Sequence, residues 1–322
     1  MTLRRLSYLI RIWKRTDQGL ARSRSSDRAS TGYRTAFPLA NSSMFIYPLR
    51  NHPVRGVTPL GRVIIANRDY QEKPTVGSSR PNAGRPRIIC ILPAFNEVGK
   101  VGCVVTKVAA TNQVDKIVVI DDCSTDRTSQ EAAEAGAHVI RHETNLGVGA
   151  AIRTGLSFGR HNDFDIGVIL SSDNQHEPTE LSSVLDPIIR GEAHFVQGSR
   201  RLEGGRTVNA PTIREFSTRV YSAVFSVITG STITDGTNGF RALSLDILDD
   251  NGINLEQEWL NTYELEPYLL YKAVRSRDCR VTEVPITIYY HDEYQQYSKM
   301  KPFRDWWRIF RPLVLLGLGI RR

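Results

Sequence analysis

Short apolar runs alternate with helical patterns through the first regular part of the chain. The apolar runs, rich in β-branched residues, are at 87–92, 116–120, 137–140 and 166–170. The stretches between them with helical character are at 98–110, 125–135 and 150–158. Unbroken apolar runs of this length are typical of strands buried on both faces, so the alternation predicts a mostly parallel, Rossmann-like α/β sheet flanked by helices. We expect Pro93 to end the first strand, because proline cannot donate a hydrogen bond within a ladder.

The second half of the chain is less regular. Helices are predicted at 178–190, 211–229 and 262–274, and strands at 193–197, from Arg241 onward and at 281–289. After residue 300, tryptophans alternate with arginines, and 313–320 is nearly all apolar, which predicts an amphipathic C-terminal helix. That helix is too short to span a bilayer. It could lie on a membrane surface or pack on the domain, and the sequence leaves both open.

The basic charge of the chain is concentrated near its start. The whole chain has a net charge of +8, but residues 1–86 hold 16 Lys/Arg against 4 Asp/Glu, a charge of +12. The remaining residues therefore carry a charge of −4. A nucleic-acid-binding domain needs a basic face on its folded part, so this distribution disfavours a nucleic-acid partner.

Residues 1–86 show no sustained hydrophobic period and are rich in Arg, Ser, Pro and Gly. We interpret them as a disordered basic leader. Membrane contact by 3–13, a transit peptide and an upstream start codon all remain open. The other predicted parts are a single α/β domain, 87–300, and the C-terminal helix, 301–322.

The cysteines show no paired spacing. The four are Cys90, Cys103, Cys123 and Cys279, and three of them lie in or beside apolar runs. This pattern favours reduced, partly buried thiols in a cytosolic protein.

Polar side chains follow three of the predicted strands. They are Asn96 and Glu97, Asp121 and Asp122, and Asp173 and Gln175. Ligands of open α/β sheets bind at the carboxyl ends of strands, so neighbouring strands would bring these groups into one crevice. If they stood alone, capping and turn formation would explain the two adjacent aspartates equally well.

Asp173 and Gln175 are two residues apart, so on an extended segment their side chains point the same way. A carboxylate and an amide oxygen together can hold Mg²⁺ or Mn²⁺. Such a metal would neutralise a diphosphate, and carboxylates elsewhere in the crevice could bind a base or ribose. The alternative is an ordinary strand followed by a helix that Glu177 and Pro178 open.

The glycines in 145–149 have the look of a phosphate-binding loop. A dinucleotide fingerprint should follow the first strand, however, and this stretch does not. We therefore interpret it as a site of close packing or backbone approach.

Six motifs together carry a family resemblance. In chain order they are Pro93-Ala-Phe-Asn-Glu97, Asp121-Asp-Cys-Ser124, Asn145-Leu-Gly-Val-Gly-Ala150, Asp173-Asn-Gln-His-Glu-Pro178, Gly198-Ser-Arg200 and Gly239-Phe-Arg241. Over about residues 87–300 the chain resembles the family 2 glycosyltransferases of the GT-A fold. Within them it is similar to the polyprenyl-phosphate branch, which includes dolichol-phosphate mannose synthase.

The resemblance implies an inverting, metal-assisted transfer of a sugar from a nucleotide-diphospho-sugar, a GDP- or UDP-sugar, to a dolichyl or undecaprenyl phosphate. It also implies a peripheral enzyme at the cytoplasmic face of a membrane. Asp173, Arg200 and Arg214 are the implied catalytic residues, and Asp173 and Gln175 the metal ligands. The implied substrate-binding residues are Pro93, Ala94, Asn96, Glu97, Asp121, Asp122, Thr218, Arg241 and Lys299.

The resemblance also implies that Arg200, Arg214 and Thr218 face the acceptor phosphate. Physical chemistry agrees with this assignment. Arginine binds phosphate through a planar fork, and a phosphate acceptor is already an anion that needs no general base. Arg214 and Thr218 are four residues apart and share a helix face. The stretch Tyr297-Ser-Lys-Met300 resembles the mobile loop that closes over the diphosphate in this family, which makes Lys299 a phosphate contact.

One departure from the family concerns the metal motif. Its first aspartate falls on Ser171, whose hydroxyl carries no charge and binds a metal more weakly. Weaker metal binding, a different metal preference and loss of activity are all consistent with this change. His176, next to these residues, is interpreted as a capping or packing residue rather than a ligand.

Two alternatives compete with the polyprenyl-phosphate acceptor. The same fold could glycosylate a hydroxyl of a glycan, for which Asp235 or Glu264 would act as general base. A catalytically silent relative that binds a nucleotide sugar or a partner is the other alternative, and Ser171 is its support.

Overall fold

The computed structural model describes residues 63–65, 84–210, 212–250, 252–290 and 304–320. The described strands are β1 Val63–Ile65, β2 Ile88–Ala94, β3 Lys116–Asp121, β4 His138–His142, β5 Ile166–Ile169, β6 Phe195–Ser199, β7 Arg206–Val208, β8 Arg241–Ser244, β9 Val281–Pro285 and β10 Thr287–Tyr289. The described α-helices are α1 Val101–Ala110, α2 Thr128–Glu134, α3 Val148–His161, α4 Leu181–Ile189, α5 Thr212–Thr229, α6 Ile247–Asp250, α7 Leu265–Arg275 and α8 Arg304–Gly317. Short 3₁₀ helices occupy Pro178–Glu180 and Glu258–Leu260.

The main sheet has the strand order β1-β4-β3-β2-β5-β8-β6-β9. Strands β4, β3, β2 and β5 run parallel, β8 is antiparallel to both of its neighbours, and β6 and β9 are parallel. The predicted mostly parallel α/β sheet is confirmed. Because β3, β2 and β5 are adjacent, their carboxyl ends lie side by side, as the strand-end groups require.

The prediction that Pro93 ends the first strand is wrong. Strand β2 continues through Pro93 and Ala94, which pair with Ile120 and Asp121 of β3. On its other edge, β2 pairs with β5 only as far as Ile91. The Pro93 carbonyl faces that edge and accepts a hydrogen bond from the Ser172 hydroxyl at 2.7 Å. The missing N–H therefore falls where the ladder has already ended.

The predicted single strand 281–289 is also wrong, because it is two strands in two sheets. Strand β9 pairs with β6, whereas β10 pairs with β7 in a separate two-stranded sheet. Between them, the Ile286 amide donates to the Ser199 carbonyl at 3.0 Å and the Ile286 carbonyl accepts from the Arg206 amide at 3.0 Å.

Helices predicted to start at 98, 125 and 262 begin at Val101, Thr128 and Leu265.

Alternating residues of the central strands face two apolar layers. On β2, Ile89 and Ile91 belong to one buried cluster, and Ile88 and Cys90 belong to the other. The first cluster receives side chains from α3, α5, α7 and α8, and the second from α1 and α4. Helices therefore cover both faces of the sheet, which explains why its strands are continuous apolar runs.

Helix α8 packs on the domain through Leu313 and Leu316, which are buried. Apolar side chains on its other side remain exposed, and so do several on α5: Phe216, Val220, Val227, Trp307, Val314 and Leu318. The helix therefore packs on the domain through one face and leaves other apolar side chains exposed. In the part of the chain that the structure describes, no helix has both the length and the apolar character needed to cross a membrane.

The four cysteines are free thiols, as predicted. Cys90 and Cys279 are buried, and burial raises the pKa of the Cys90 thiol to about 12. Three residues of the predicted leader form β1, which pairs antiparallel with β4. The rest of 1–83 and the stretch 291–303, which includes Lys299, lie outside the described residues.

Candidate active site

A cavity of about 590 Å³ opens at the carboxyl ends of β2, β3, β5 and β6. The strand ends contribute the segment 93–97, Asp122, the segment 171–176 and Arg200. The opposite wall comes from α5, the start of α7 and α8. The expectation that the strand-end groups share one crevice holds for most of them, and Asn96 and Asp121 are the exceptions.

The segment 171–176 is held in a closed network of hydrogen bonds. The Ser171 hydroxyl donates to Asp173 Oδ1 at 2.6 Å, and the backbone N–H of Gln175 donates to the same oxygen at 3.1 Å. Strand β10 also holds this segment, because the backbone N–H of Tyr289 donates to the backbone carbonyl of Gln175 at 2.9 Å. The segment therefore has a defined shape, with Asp173 and Gln175 both lining the cavity.

His176 supports this segment from beneath. Its Nδ1 lies 3.2 Å from the Ser171 amide nitrogen, and a backbone N–H can only donate, so Nδ1 is the acceptor. Nε2 then carries the proton and donates to Asn238 Oδ1 at 3.0 Å. Burial lowers the pKa of His176 to about 4, against the opposing charge of Asp173, so the ring is neutral at pH 7.

Asp173 and Gln175 suit a hard divalent cation as the ligands that the protein would supply. Both are oxygen donors at the cavity surface, and Asp173 Oδ2 makes no hydrogen bond to any described residue. The described residues contain no group of three or more His, Cys, Asp or Glu side chains arranged to hold a metal. Mg²⁺ commonly binds through one or two carboxylates plus substrate phosphates and water, so two protein ligands are sufficient for such a site.

The adjacent residues Asp121 and Asp122 have different surroundings. Asp121 is fully buried, pairs with Arg141, accepts a hydrogen bond from Ser129, and does not line the cavity. Asp122 lines the cavity, and its carboxylate accepts from His142 Nδ1 at 2.7 Å. The structure therefore brings only the second aspartate of the pair to the site.

Both carboxylate oxygens of Asp122 also hold the glycine-containing loop. They accept from the amides of Leu146 at 2.9 Å and Gly147 at 2.7 Å. A Cβ on Gly149 would lie 2.1 Å from the Leu260 carbonyl oxygen, so only glycine allows this approach. The interpretation of 145–149 as a close-packing site is confirmed, and the loop seats the segment that leads into α7.

The end of β2 and the loop after it form the third part of this wall. Pro93, Ala94 and Glu97 line the cavity. Asn96 does not, and its side chain instead accepts from the Thr125 amide at 2.8 Å. The Glu97 carboxylate accepts from Lys100 Nζ at 2.9 Å, which brings a cation to the cavity that sequence reasoning did not select.

Several arginines lie in the cavity. Arg200 binds Asp235 through Nε at 2.6 Å and Nη2 at 2.7 Å, and its Nη1 lies 3.5 Å from the Tyr290 hydroxyl. Arg214 lies over the Tyr290 ring at 5.2 Å. Arg308 of α8 lines the same cavity. Arg200 and Arg214, which the family resemblance assigns to the acceptor phosphate, therefore both contact Tyr290 in this cavity.

Thr218 lines the cavity, but its hydroxyl is already engaged. It donates to the Glu215 carbonyl at 3.0 Å and accepts from Arg201 Nη2. Arg201 also has its Nη1 3.8 Å from Asp235, so one carboxylate serves two guanidinium groups. Around Asp235 and Tyr290 the arginines therefore outnumber the carboxylates, and this excess of positive charge suits an anion.

With this geometry established, comparison with known proteins identifies the family. The model of the family "Glycosyl transferase family 2" matches residues 89–252, which is 164 of the 322 residues. The chain belongs to glycosyltransferase family 2. It is a glycosyltransferase, as its motifs indicate, and the resemblance to this family is confirmed.

Two curated glycosyltransferases illustrate the branch. The chain is 29% identical over 206 residues to an undecaprenyl-phosphate mannosyltransferase of Micrococcus luteus, covering 62% of this chain and 83% of that protein. It is 30% identical over 215 residues to a polyprenol monophosphomannose synthase of Mycolicibacterium smegmatis, covering 64% and 80%. These likenesses confirm the resemblance to the polyprenyl-phosphate branch.

A solved structure supports the fold. The chain matches glucosyl-3-phosphoglycerate synthase from Mycobacterium tuberculosis, in complex with Mn²⁺, uridine diphosphate and phosphoglyceric acid, with a TM-score of 0.55. The match covers 74% of this chain and 80% of that one at 19% identity. At 19% identity this match supports the GT-A fold and nothing further.

The two carboxylates considered as general bases are badly placed in this glycosyltransferase. Asp235 is fully buried and bound by Arg200; burial by itself would raise the pKa of Asp235, but the hydrogen bonds and charge of Arg200 lower it. Glu264 is buried, accepts from Thr262, and does not line the cavity. Neither side chain is set up to take a proton from a hydroxyl acceptor.

Sequence reasoning did not select several cavity residues of the glycosyltransferase: Lys100, Thr237, Tyr263, Glu266, Tyr290 and Arg308. Glu266 lies on a predicted helix, but no motif distinguished it from Glu264. Arg308 lies within the aromatic and basic segment that suggested membrane contact. A tertiary contact between α8 and α5 brings it to the site, and no local signal predicts such a contact.

Proposed function

We propose that this glycosyltransferase moves one sugar from a nucleotide-diphospho-sugar to a polyprenyl phosphate. The observation that carries the proposal is that one cavity holds two kinds of group. Asp173 and Gln175 could hold a metal and diphosphate there, and Arg200 and Arg214 could bind an anionic acceptor beside them. The relatives in Micrococcus and Mycolicibacterium support the choice of acceptor.

The reaction that fits is a single displacement. An oxygen of the acceptor phosphate attacks the anomeric carbon while the bond from that carbon to the diphosphate oxygen breaks. The electron pair leaves with the nucleoside diphosphate, and attack from the opposite face inverts the anomeric configuration. A phosphate monoester is already largely a dianion at pH 7, so no proton has to be removed.

The chain's own residues would position both ends of this displacement. Arg200 presents Nη1 and Arg214 its guanidinium to the acceptor phosphate, each as a charge-assisted donor. Asp173 and Gln175 would hold Mg²⁺ or Mn²⁺, which when bound supplies positive charge that neutralises the leaving diphosphate. The segments 93–97 and 145–147, with Asp122 between them, would hold the nucleotide.

The exposed apolar face of α5 and α8 suits the lipid nature of this acceptor. Phe216 and Val227 on α5 are 69% and 83% exposed, and Trp307 on α8 is 50% exposed. The same two helices carry Arg214 and Arg308 into the cavity. We propose that this face rests on the cytoplasmic surface of a membrane, so that a lipid-borne phosphate reaches the arginines.

The decisive test compares a short polyprenyl phosphate with the matching polyprenol. The proposal predicts binding and glycosylation of the phosphate alone. Arg214→Ala should weaken polyprenyl phosphate binding about tenfold or more, since it removes a charge-assisted contact, and leave nucleotide binding unchanged. Arg190→Ala is the control, because Arg190 is exposed and lies outside the cavity. Equal use of the polyprenol would contradict the proposal.

A further inference from the structure

Glu266 lies in the first turn of α7 and lines the cavity. Its side chain is 20% exposed, and its Oε1 is 3.1 Å from Arg241 Nη2. Arg241 itself is buried, with 1% of its surface exposed, and its Nη1 also donates to the Glu266 backbone carbonyl at 3.1 Å. The guanidinium therefore fixes both the main chain and the carboxylate of Glu266.

Gly239 leaves an open path between Glu266 and the metal-binding segment. A Cβ built on Gly239 would lie 3.4 Å from Glu266 Oε1 and 3.8 Å from His176 Cε1. His176 Nδ1 in turn lies 3.0 Å from the Ser171 hydroxyl, which contacts Asp173. Gly239 thus lets the Glu266 carboxylate lie close to His176, which contacts the segment that carries Asp173.

The wall beneath Glu266 holds buried polar atoms with spare hydrogen-bonding capacity. Arg241 Nε and the Tyr221 hydroxyl are buried and have no partner among the described residues. Tyr221 lies against Gly236, another cavity residue, and the charges of both Arg241 and Glu266 act on it. Both atoms are shut off from the cavity, whereas the Glu266 side chain is 20% exposed, so Glu266 is the group of this cluster that a ligand can reach.

We infer that Glu266 recognises hydroxyl groups of the donor sugar and thereby selects the sugar that is transferred. The inference rests on the proposed function, in which the diphosphate lies at Asp173 and Gln175 and the sugar attached to it extends toward Glu266. An ionised carboxylate only accepts hydrogen bonds, and its two oxygens can each take one from neighbouring hydroxyls. The ligand class is therefore a neutral hexose with two free hydroxyls on that side.

A carboxylate at this place also disfavours other sugars. A uronic acid would bring a second negative charge against Glu266, for which Arg241 already provides the partner. A deoxy sugar would leave a carboxylate oxygen without its donor, and sites built to bind a hydroxyl discriminate strongly against analogues that lack it. Selectivity should therefore follow the hydroxyls near Glu266 and not the nucleotide.

Calorimetric binding separates sugar recognition from nucleotide binding. The ligands are GDP-mannose, UDP-glucose, their singly deoxygenated analogues, GDP and UDP, each with Mg²⁺. For the sugar nucleotide that binds, Glu266→Ala should weaken binding about tenfold or more, and affinity for the parent nucleotide should stay within about twofold. Glu266→Gln, which keeps the shape of the side chain, should lose less affinity. One deoxy analogue should bind the Glu266→Ala variant as tightly as the unmodified nucleotide sugar binds that variant.

Glu258→Gln is the matched control, because this carboxylate is exposed on the same connection and does not line the cavity. Thermal unfolding of each variant shows whether it is folded. An equal loss of nucleotide and nucleotide-sugar affinity, or no loss of either, would overturn the assignment of Glu266 alone. Failure of the unmodified protein to bind any nucleotide sugar would overturn the proposed function together with it.

Discussion

The Ser171 hydroxyl donates a hydrogen bond to Asp173 Oδ1 at 2.6 Å. The first position of the metal motif thus carries a neutral group that is bound to the one remaining carboxylate. An aspartate at this position would place a second negative charge at the site. The consequence is a site with one negative charge fewer, which should bind a divalent cation more weakly than a two-carboxylate site.

Replacing Ser171 by aspartate should therefore tighten metal binding. Measured by the electron paramagnetic resonance signal of free Mn²⁺ in the presence of nucleoside diphosphate, Ser171→Asp should lower the dissociation constant about tenfold, or about 1.4 kcal/mol. Ser171→Ala is the control and should change it little, since a hydroxyl adds no charge. An unchanged constant in Ser171→Asp would show that the metal is held elsewhere.

The pair Arg200 and Asp235 predicts a pH-dependent stability. Hydrogen bonds and charge from Arg200 outweigh burial and hold the pKa of Asp235 below its ordinary 3.8. A depressed carboxyl pKa contributes stability that is complete above the unfolded pKa and is lost as the pH falls toward the folded one. Arg200→Met should cost about 3 kcal/mol near neutral pH, because it leaves a buried carboxylate poorly paired.

Urea unfolding across the acidic range checks this sign. The difference between the unmodified protein and Arg200→Met should be greatest near neutral pH and should shrink below about pH 4. Arg190→Met, at an exposed ion pair, should show no such difference. A loss that is constant with pH would mean that Asp235 does not supply it.

Asp122 predicts a stability effect that is local to the loop before α3. Asp122→Asn keeps the size but offers one acceptor oxygen, so the Leu146 or Gly147 amide loses its partner. We expect a loss of about 1–3 kcal/mol in the free energy of unfolding. Amide hydrogen exchange should accelerate at these two residues, whereas Asp278→Asn, an exposed control, should leave both unchanged.

The apolar face of α5 and α8 predicts lipid binding. The double change Phe216→Ser and Val227→Ser should reduce sedimentation of the protein with anionic vesicles several-fold, because it removes two exposed apolar contacts. Ile189→Ser is the matched control, since Ile189 is 45% exposed on α4, a helix on the other face of the sheet. Equal loss in the control would contradict a specific membrane-facing surface.

Local pattern was sufficient to predict the central strands and the strand-end groups. Strand residues such as Ile89 and Val118 form unbroken apolar runs, and Asp173 and Gln175 follow one directly. The pattern failed at Pro93, because the pairing of β2 with β5 ends before Pro93 is reached. That ending is a property of the neighbouring strand β5 and not of β2.

Long-range contacts account for what the sequence did not predict in the site. Asp121 and Asp122 look equivalent, yet Arg141 binds the first and the loop before α3 binds the second. Glu266 and Glu264 lie two residues apart on one helical stretch, and only the structure shows which of them reaches the cavity. The roles assigned to Lys299 and the division of the chain at 86 and 300 remain predictions.

The most direct measurement incubates the purified protein with a short polyprenyl phosphate and a panel of GDP- and UDP-sugars. Each donor is tested with Mg²⁺, with Mn²⁺ and with a chelator, and the products are identified by mass spectrometry. The account predicts a glycosyl-phosphoryl-polyprenol from at least one donor, formed with metal and abolished by chelator. Binding of a nucleotide sugar with no such product under any condition would contradict it.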